Sequence, residues 1–225
     1  MTKEERLKSE ALRIRNMWEF EKSITGGFDF VFGIDEAGRG PLCGPVTAAC
    51  CILPVDIDIL YLNDSKKLSE KKREEVYEQV VKESLGYGIG MSSPERIDEI
   101  NILNATLEAM KDAYDSCLKM LSEKGVPVDL MKDQSIVLID GNKSAPGIKE
   151  HQITVVSGDA KCPSISAASC LAKVTRDRLL YEYDRMYPAY GFAHHKGYGT
   201  KEHIEALKSF GPLPIHRKTF IQKFV

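Results

Sequence analysis

The chain has 225 residues, 31 of them basic and 33 acidic, for a formal net charge of −2. Its 43% hydrophobic and 28% charged residues argue against disorder and allow a sizeable core in one domain or two. No run of 18 apolar residues offers a membrane span, and the first 25 residues are charged throughout, unlike a secretory signal.

Residues 3–24 read as a charged helix with Leu7, Ala11, Ile14 and Trp18 on one face, broken by Thr25-Gly26-Gly27. This predicts an N-terminal arm over 1–28, packed on the body or partly mobile, and a second region over 29–225. The body opens with a strand, Phe30 to Asp35, then a Gly/Pro-rich turn from Gly38 to Pro45 and a strand from Val46 to Leu53. A helix follows over 68–85, a short strand over Gly86–Ser92, and a strongly periodic helix over 101–123 with Leu103, Leu107, Met110, Tyr114, Cys117 and Leu121 on one face. Ser135–Asp140 reads as a buried parallel strand and Gln152–Val156 as another. Helices over about Ser164–Met186 and Lys201–Phe210 complete the order, which predicts one mixed α/β sheet with helices on its faces.

Charge is unevenly spread. Residues 1–140 hold 18 basic and 26 acidic side chains, and residues 141–225 hold 13 and 7 together with all five His. That asymmetry fits either a polyanion partner or uneven helix surfaces. The six Cys form no Cys-x-x-Cys pair, and adjacent Cys50 and Cys51 cannot share one face of a strand. Free, buried thiols in a reducing cytoplasm are expected.

The sharpest feature is the run Gly33-Ile34-Asp35-Glu36-Ala37-Gly38-Arg39-Gly40-Pro41, in which two acids close an apolar strand. Buried carboxylates need a cap, a partner or a cation. Gly38, Gly40 and Gly44 permit close approach of a ligand to the backbone, and Arg39 adds a phosphate-compatible fork. Cys43 stands where a dinucleotide fingerprint would need its third Gly, and the acids ahead of the loop would repel a pyrophosphate. Asp140 ends one later strand, and Asp159 follows another by three residues. Ligands collect at the carboxyl ends of strands in such sheets. If these strands neighbour the first, the four acids converge, and an all-oxygen cluster of like charge calls for Mg²⁺ or Mn²⁺. Two such ions about 4 Å apart can clamp a phosphodiester. One difficulty is that adjacent strand residues point to opposite faces, so either the strand ends at Asp35 or Glu36 reaches the site around the turn.

Six ordered runs then carry a resemblance: GIDEAGRGPLCGPV, NDSKKLS, VLIDGNK, SGDAKCPSISAASCLAKVTRDRL, HKGYGTKEH and GPLPIHRKTF. They are similar to the motifs of the ribonuclease HII family and cover about residues 29–220. The resemblance implies a ribonuclease H-like α/β fold, with a mixed five-stranded sheet flanked by helices. It implies metal-dependent endonucleolytic cleavage of RNA in RNA–DNA hybrids and at single ribonucleotides in duplex DNA, leaving 3′-OH and 5′-phosphate. Its four acidic residues fall on Asp35, Glu36, Asp140 and Asp159, which would hold two Mg²⁺ or Mn²⁺ ions. Its Gly-Arg-Gly element, which meets the 2′-OH, falls on Gly38, Arg39 and Gly40, and its junction-sensing Tyr on Tyr198. Lys66, Ser169 and Lys173 match positions near substrate phosphates. A monomer acting in the cytoplasm is expected. The alternative is a non-catalytic hybrid-binding module of the same fold, which the intact acid quartet disfavours; a DNA nuclease such as a resolvase is disfavoured by the motif order.

Asp177 competes with Asp159 as fourth acid, but its place inside a helix, four residues after Lys173, reads better as a solvated ion pair. Tyr198 between two Gly offers a stacking platform or packs over a turn. His194 and His195 could shuttle protons, touch phosphate, or sit on the surface. His216-Arg217-Lys218 and Lys66-Lys67 read as basic clusters on a nucleic-acid face.

Overall fold

The computed structural model describes residues 2–63, 65 and 68–225, without the side chains of Lys3, Leu130 and Lys132. Five strands form one sheet in the order β3-β2-β1-β4-β5. β1 (Phe30–Ala37), β2 (Val46–Ile52) and β3 (Gly86–Ser92) form an antiparallel meander. β4 (Ser135–Asp140) adds to β1 in parallel, and β5 (His151–Val155) to β4. The helices are α1 (Lys3–Thr25), α2 (Glu70–Glu83), α3 (Pro94–Glu123), the single turn α4 (Val128–Met131), α5 (Pro163–Met186), the short α6 (Phe192–His195), α7 (Lys201–Phe210) and α8 (Lys218–Ile221).

Strand parity assigns the two faces. Phe32, Ile34, Cys50, Val137 and Ile139 pack under α3 with Ala109, Ala113 and Cys117. Ala49 and Cys51 face the other side, under α5, where Ala168 and Leu171 meet α2 and the α1 residues Ile14, Met17 and Trp18. Adjacent Cys50 and Cys51 therefore do divide between the faces, and all six thiols are free and buried. Gly33 is where α5 presses closest, since a Cβ there would lie 2.1 Å from the Ser164 carbonyl carbon.

Each predicted strand and helix is present, the short α4, α6 and α8 were not expected, and one boundary differs markedly. α3 begins at Pro94, seven residues before the expected start, because Ser93 caps an extra first turn through the Arg96 amide and Pro94 takes N1. Asn101 (φ 69°) then kinks the helix, and its Oδ1 recaps it by accepting from the Leu103 and Asn104 amides. The expected boundary is thus the cap of the second segment.

Candidate active site

The carboxyl ends of β1 and β4 lie side by side, with Ile34 paired to Ile139. Asp35 and Asp140 come next on each strand and share the parity of Gly33 and Leu138, the α5 side. Asp35 is only 5% exposed. Burial, then the charges of Glu36 and Asp140, raise its pKa well above the usual carboxylate range, against the opposing pull of the Ser169 hydroxyl and the Glu36 amide. Asp35 Oδ1 accepts that amide at 2.7 Å. Asp140 Oδ1 accepts the Gly158 amide at 2.6 Å, which docks the Gly158–Ala160 turn and so brings Asp159, the next residue, to the same strand ends. Glu36 takes the opposite strand parity, at the strand end, where Arg39 reaches its Oε1 at 3.3 Å. Glu36 and Asp140 are thus each within electrostatic reach of Asp35. These donors are all oxygens, crowded and partly desolvated, which fits hard divalent cations.

Beyond β1 the Gly38–Pro45 loop is held from beneath by two arginines, each almost fully buried. Arg217 (0% exposed) donates to the carbonyls of Gly38, Arg39 and Gly44 at 2.6, 2.9 and 3.0 Å. Arg176 (1%) donates to those of Pro45, Lys196 and Cys43 at 3.2, 3.0 and 3.1 Å. Burial and the neighbouring Arg176 push the Arg217 pKa down to about 9, and burial lowers that of Arg176. In a trans peptide N–H and C=O point in opposite directions. With the Gly38 and Arg39 carbonyls turned to Arg217, the amides of Arg39 and Gly40 face away from it, ready to donate. Gly38 has φ 94°, and a Cβ there would strike Arg176 Nε at 2.1 Å, so only glycine fits. The exposed Tyr198 ring lies over the same loop, its Cε1 3.5 Å from where a Gly40 side chain would begin.

Ser169 lies on α5 facing Asp35, and its Oγ is hydrogen-bonded to Ser65 Oγ at 3.0 Å, which ties the loop before α2 to the site. Lys173 bonds Asp177 at 2.7 Å, and Arg73 closes the cluster at 3.3 Å. Lys66 and Lys67 lie outside the described residues.

Three expectations need correction. Asp177 is paired as expected, but the pair is buried (6% exposed), because α2 lays Arg73 over it. His216 and Arg217 are not part of a surface basic cluster, since only Lys218 of the three is exposed. The chain folds under itself there: Cys43 bridges to His216, and the Arg217 amide bonds the Leu42 carbonyl. His195 is buried, stacked on His203, donating from Nε2 to the Tyr190 carbonyl and accepting at Nδ1 from the Gly197 amide, while His194 is exposed. Arg176, Arg217, His203 and His216 were missed as supports of the site. A signal existed for Arg176, which continues the inward stripe Ser169, Ala172, Arg176, Leu180 at steps of three and four.

Comparison with known proteins adds the lineage. A family model described as "Ribonuclease HII" matches residues 32–223. The chain is 50% identical over 220 residues to ribonuclease HII of Caldanaerobacter subterraneus subsp. tengcongensis, covering 97% of this chain and 86% of that one. Among solved structures it resembles the ribonuclease H2 of Pyrococcus horikoshii OT3, with a TM-score of 0.63 and 26% identity over 87% of this chain and 96% of that one. Bst-RNase HIII in complex with Mn²⁺ shares the fold at a TM-score of 0.63, with 12% identity over 85% of this chain and 65% of that one.

Proposed function

This chain belongs to the ribonuclease HII family and is a ribonuclease H, and from that premise we propose that it cuts the RNA strand of RNA–DNA hybrids and single ribonucleotides embedded in duplex DNA, leaving 3′-OH and 5′-phosphate. The observation that carries the catalytic reading is the crowding of Asp35, Glu36 and Asp140 with a buried Asp35, a charge excess that suits divalent cations and little else. Asp35, Glu36, Asp140 and Asp159 hold two Mg²⁺ or Mn²⁺ ions in this reading. Such ions supply Lewis acidity, easing ionisation of water and stabilising charge on the attacking and leaving oxygens.

The protein's own part is orientation. The outward amides of Arg39 and Gly40 can donate to a 2′-OH, the group that separates RNA from DNA. Arg217 aims them in advance, so no reorganisation is needed when substrate binds. Tyr198 stands beside Gly40, where its ring can stack on the deoxyribose that follows the ribonucleotide. In this reading Ser169 and Lys173 face the phosphates from α5, and Lys66 is a further phosphate contact. Six free, buried thiols suit a reducing cytoplasm, and we read the enzyme as a monomer there.

The test uses three duplexes, with Mg²⁺ or Mn²⁺: one ribonucleotide in DNA, a continuous hybrid, and DNA alone. Cutting confined to the first two is expected. Asp35→Asn and Asp140→Asn should each lower cleavage at least about 100-fold with the fold intact, because each removes a cation ligand while relieving repulsion. Wild-type turnover by a folded Asp140→Asn protein would sink the assignment.

A further inference from the structure

Behind Tyr198 two buried histidines, His203 (0% exposed) and His216 (2%), form a hydrogen-bonded pair that the acidic site does not use. Their protons can be placed from the geometry. His216 Nδ1 lies 2.9 Å from the Leu213 amide and 3.3 Å from the Leu213 carbonyl, and the shorter contact makes it an acceptor from that amide, without a proton of its own. Neutral His216 is then protonated on Nε2, which lies 3.0 Å from His203 Nε2. His203 accepts there, so its own proton sits on Nδ1 and donates to the Tyr198 carbonyl at 3.0 Å. The chain of donation runs one way, from the Leu213 amide to the Tyr198 peptide. Burial lowers both ring pKa values to about 4, which keeps the pair neutral.

A rival reading is a soft-metal site, because Cys43 Sγ and ring nitrogens of both histidines converge within 4.8 Å. A metal on His216 Nε2 would force the ring proton onto Nδ1, against the Leu213 N–H that already points there. The relay satisfies every donor, and the metal does not.

The rest of the Tyr198 backbone is tied to the same group. Its amide donates to the His195 carbonyl at 3.0 Å, and the preceding Gly197 carbonyl accepts from Leu42 at 2.8 Å. We propose that His203 and His216 are positioning residues that set the height of Tyr198 over Gly40, and with it the strictness with which a ribonucleotide–deoxyribonucleotide junction is distinguished. The proposal rests on the reading of Tyr198 as the junction-sensing ring.

The experiment compares kcat/KM on the single-ribonucleotide duplex with kcat/KM on the continuous hybrid, as a ratio. His203→Asn keeps an amide donor at the Nδ1 position, and His203→Gln keeps one only at the Nε2 position. His203→Asn is expected within about two-fold of the wild-type ratio, and His203→Gln about ten-fold away, the equivalent of one buried hydrogen bond. Tyr198→Ala sets the limit of the change. Long-range ¹H–¹⁵N spectra of the wild-type rings at neutral pH need no variant to fold, and should show His203 protonated on Nδ1 and His216 on Nε2. A wild-type ratio in both His203 variants while Tyr198→Ala moves it overturns the proposal, as does a His203 proton on Nε2 or stoichiometric Zn²⁺ held by both rings. A wild-type ratio in Tyr198→Ala overturns the junction role of Tyr198 itself, and with it the functional half of the proposal. The ring spectra then show whether the relay fails as well.

Discussion

Arg217 illustrates how one side chain can hold a recognition loop without touching substrate. Its three nitrogens donate to the carbonyls of Gly38, Arg39 and Gly44. Arg217→Met would leave those carbonyls without a donor, and is expected to cost about 3–5 kcal/mol of stability in urea unfolding. Arg217→Lys should recover little, because a single ammonium cannot span three acceptors in the guanidinium's fork. A loss below about 1 kcal/mol for the Met variant would show that the loop holds itself. Gly38→Ala attacks the same arrangement from above, since its Cβ would meet Arg176 at a residue with φ 94°. We expect at least about a ten-fold loss of cleavage together with a lowered melting temperature. At this scale the sequence was legible where function needs a conspicuous residue. Two acids ending an apolar strand are costly without a reason, so Asp35 and Glu36 stood out. Arg217 and His203 did not, because an arginine or histidine beside other polar residues reads as surface, and only the long-range return of residues 213–217 beneath the loop buries them.

Elements were easier to read than their junctions. Apolar spacing revealed α1 and α3, because a period of 3.6 survives whatever the helix packs against, and a short apolar run revealed β4. What spacing could not show is that α1 docks onto the start of α5. Glu21 of α1 is 2% exposed, and its Oε2 accepts from the Ser164 amide at 3.0 Å and from the Ser164 hydroxyl at 2.8 Å. We propose that residues 1–28 are an arm clasped to a catalytic domain of residues 29–225 by this contact and by Ile14, Met17 and Trp18. Burial raises the Glu21 pKa from 4.5 to about 7, outweighing the Ser164 hydrogen bonds that lower it. Between those values the folded protein keeps a proton that the unfolded chain has released, so stability falls as pH rises through that window. The loss is at most about 3 kcal/mol, reduced by the favourable field at the start of α5. Glu21→Gln keeps the acceptor and removes the titration. Thermal melts should therefore coincide at pH 5 and separate by pH 8, with the variant several degrees higher. Parallel curves across that range would show that Glu21 is not the titrating group.

For the whole molecule, a net charge of −2 does not announce a partner for nucleic acid. The division between an acidic residue range 1–140 and a basic range 141–225 is compatible with one, yet it mixes structural ion pairs with exposed charge. Asp177, Lys173 and Arg73 all count in it while neutralising one another. The informative part is the fixed repulsion at the ends of β1 and β4, which the fold sustains with no basic partner for Asp35 among the described residues. Cations that bind only the folded arrangement must stabilise it by mass action. After chelator treatment the protein should remain folded and lose cleavage. Returning Mn²⁺ or Mg²⁺ to about a hundred times the dissociation constant should add about 2.7 kcal/mol, or roughly 5–10 °C in melting temperature for a chain of this size. Asp35→Asn should start higher than the wild type without cation, because it removes a buried charge, and should lose most of the cation-dependent rise. Ca²⁺ is a useful contrast, since a site built for smaller ions at shorter distances should respond to it less. A wild-type protein whose melting temperature ignores Mn²⁺ and Mg²⁺ would mean that the four acids do not form the cation site, whatever their place in the sheet.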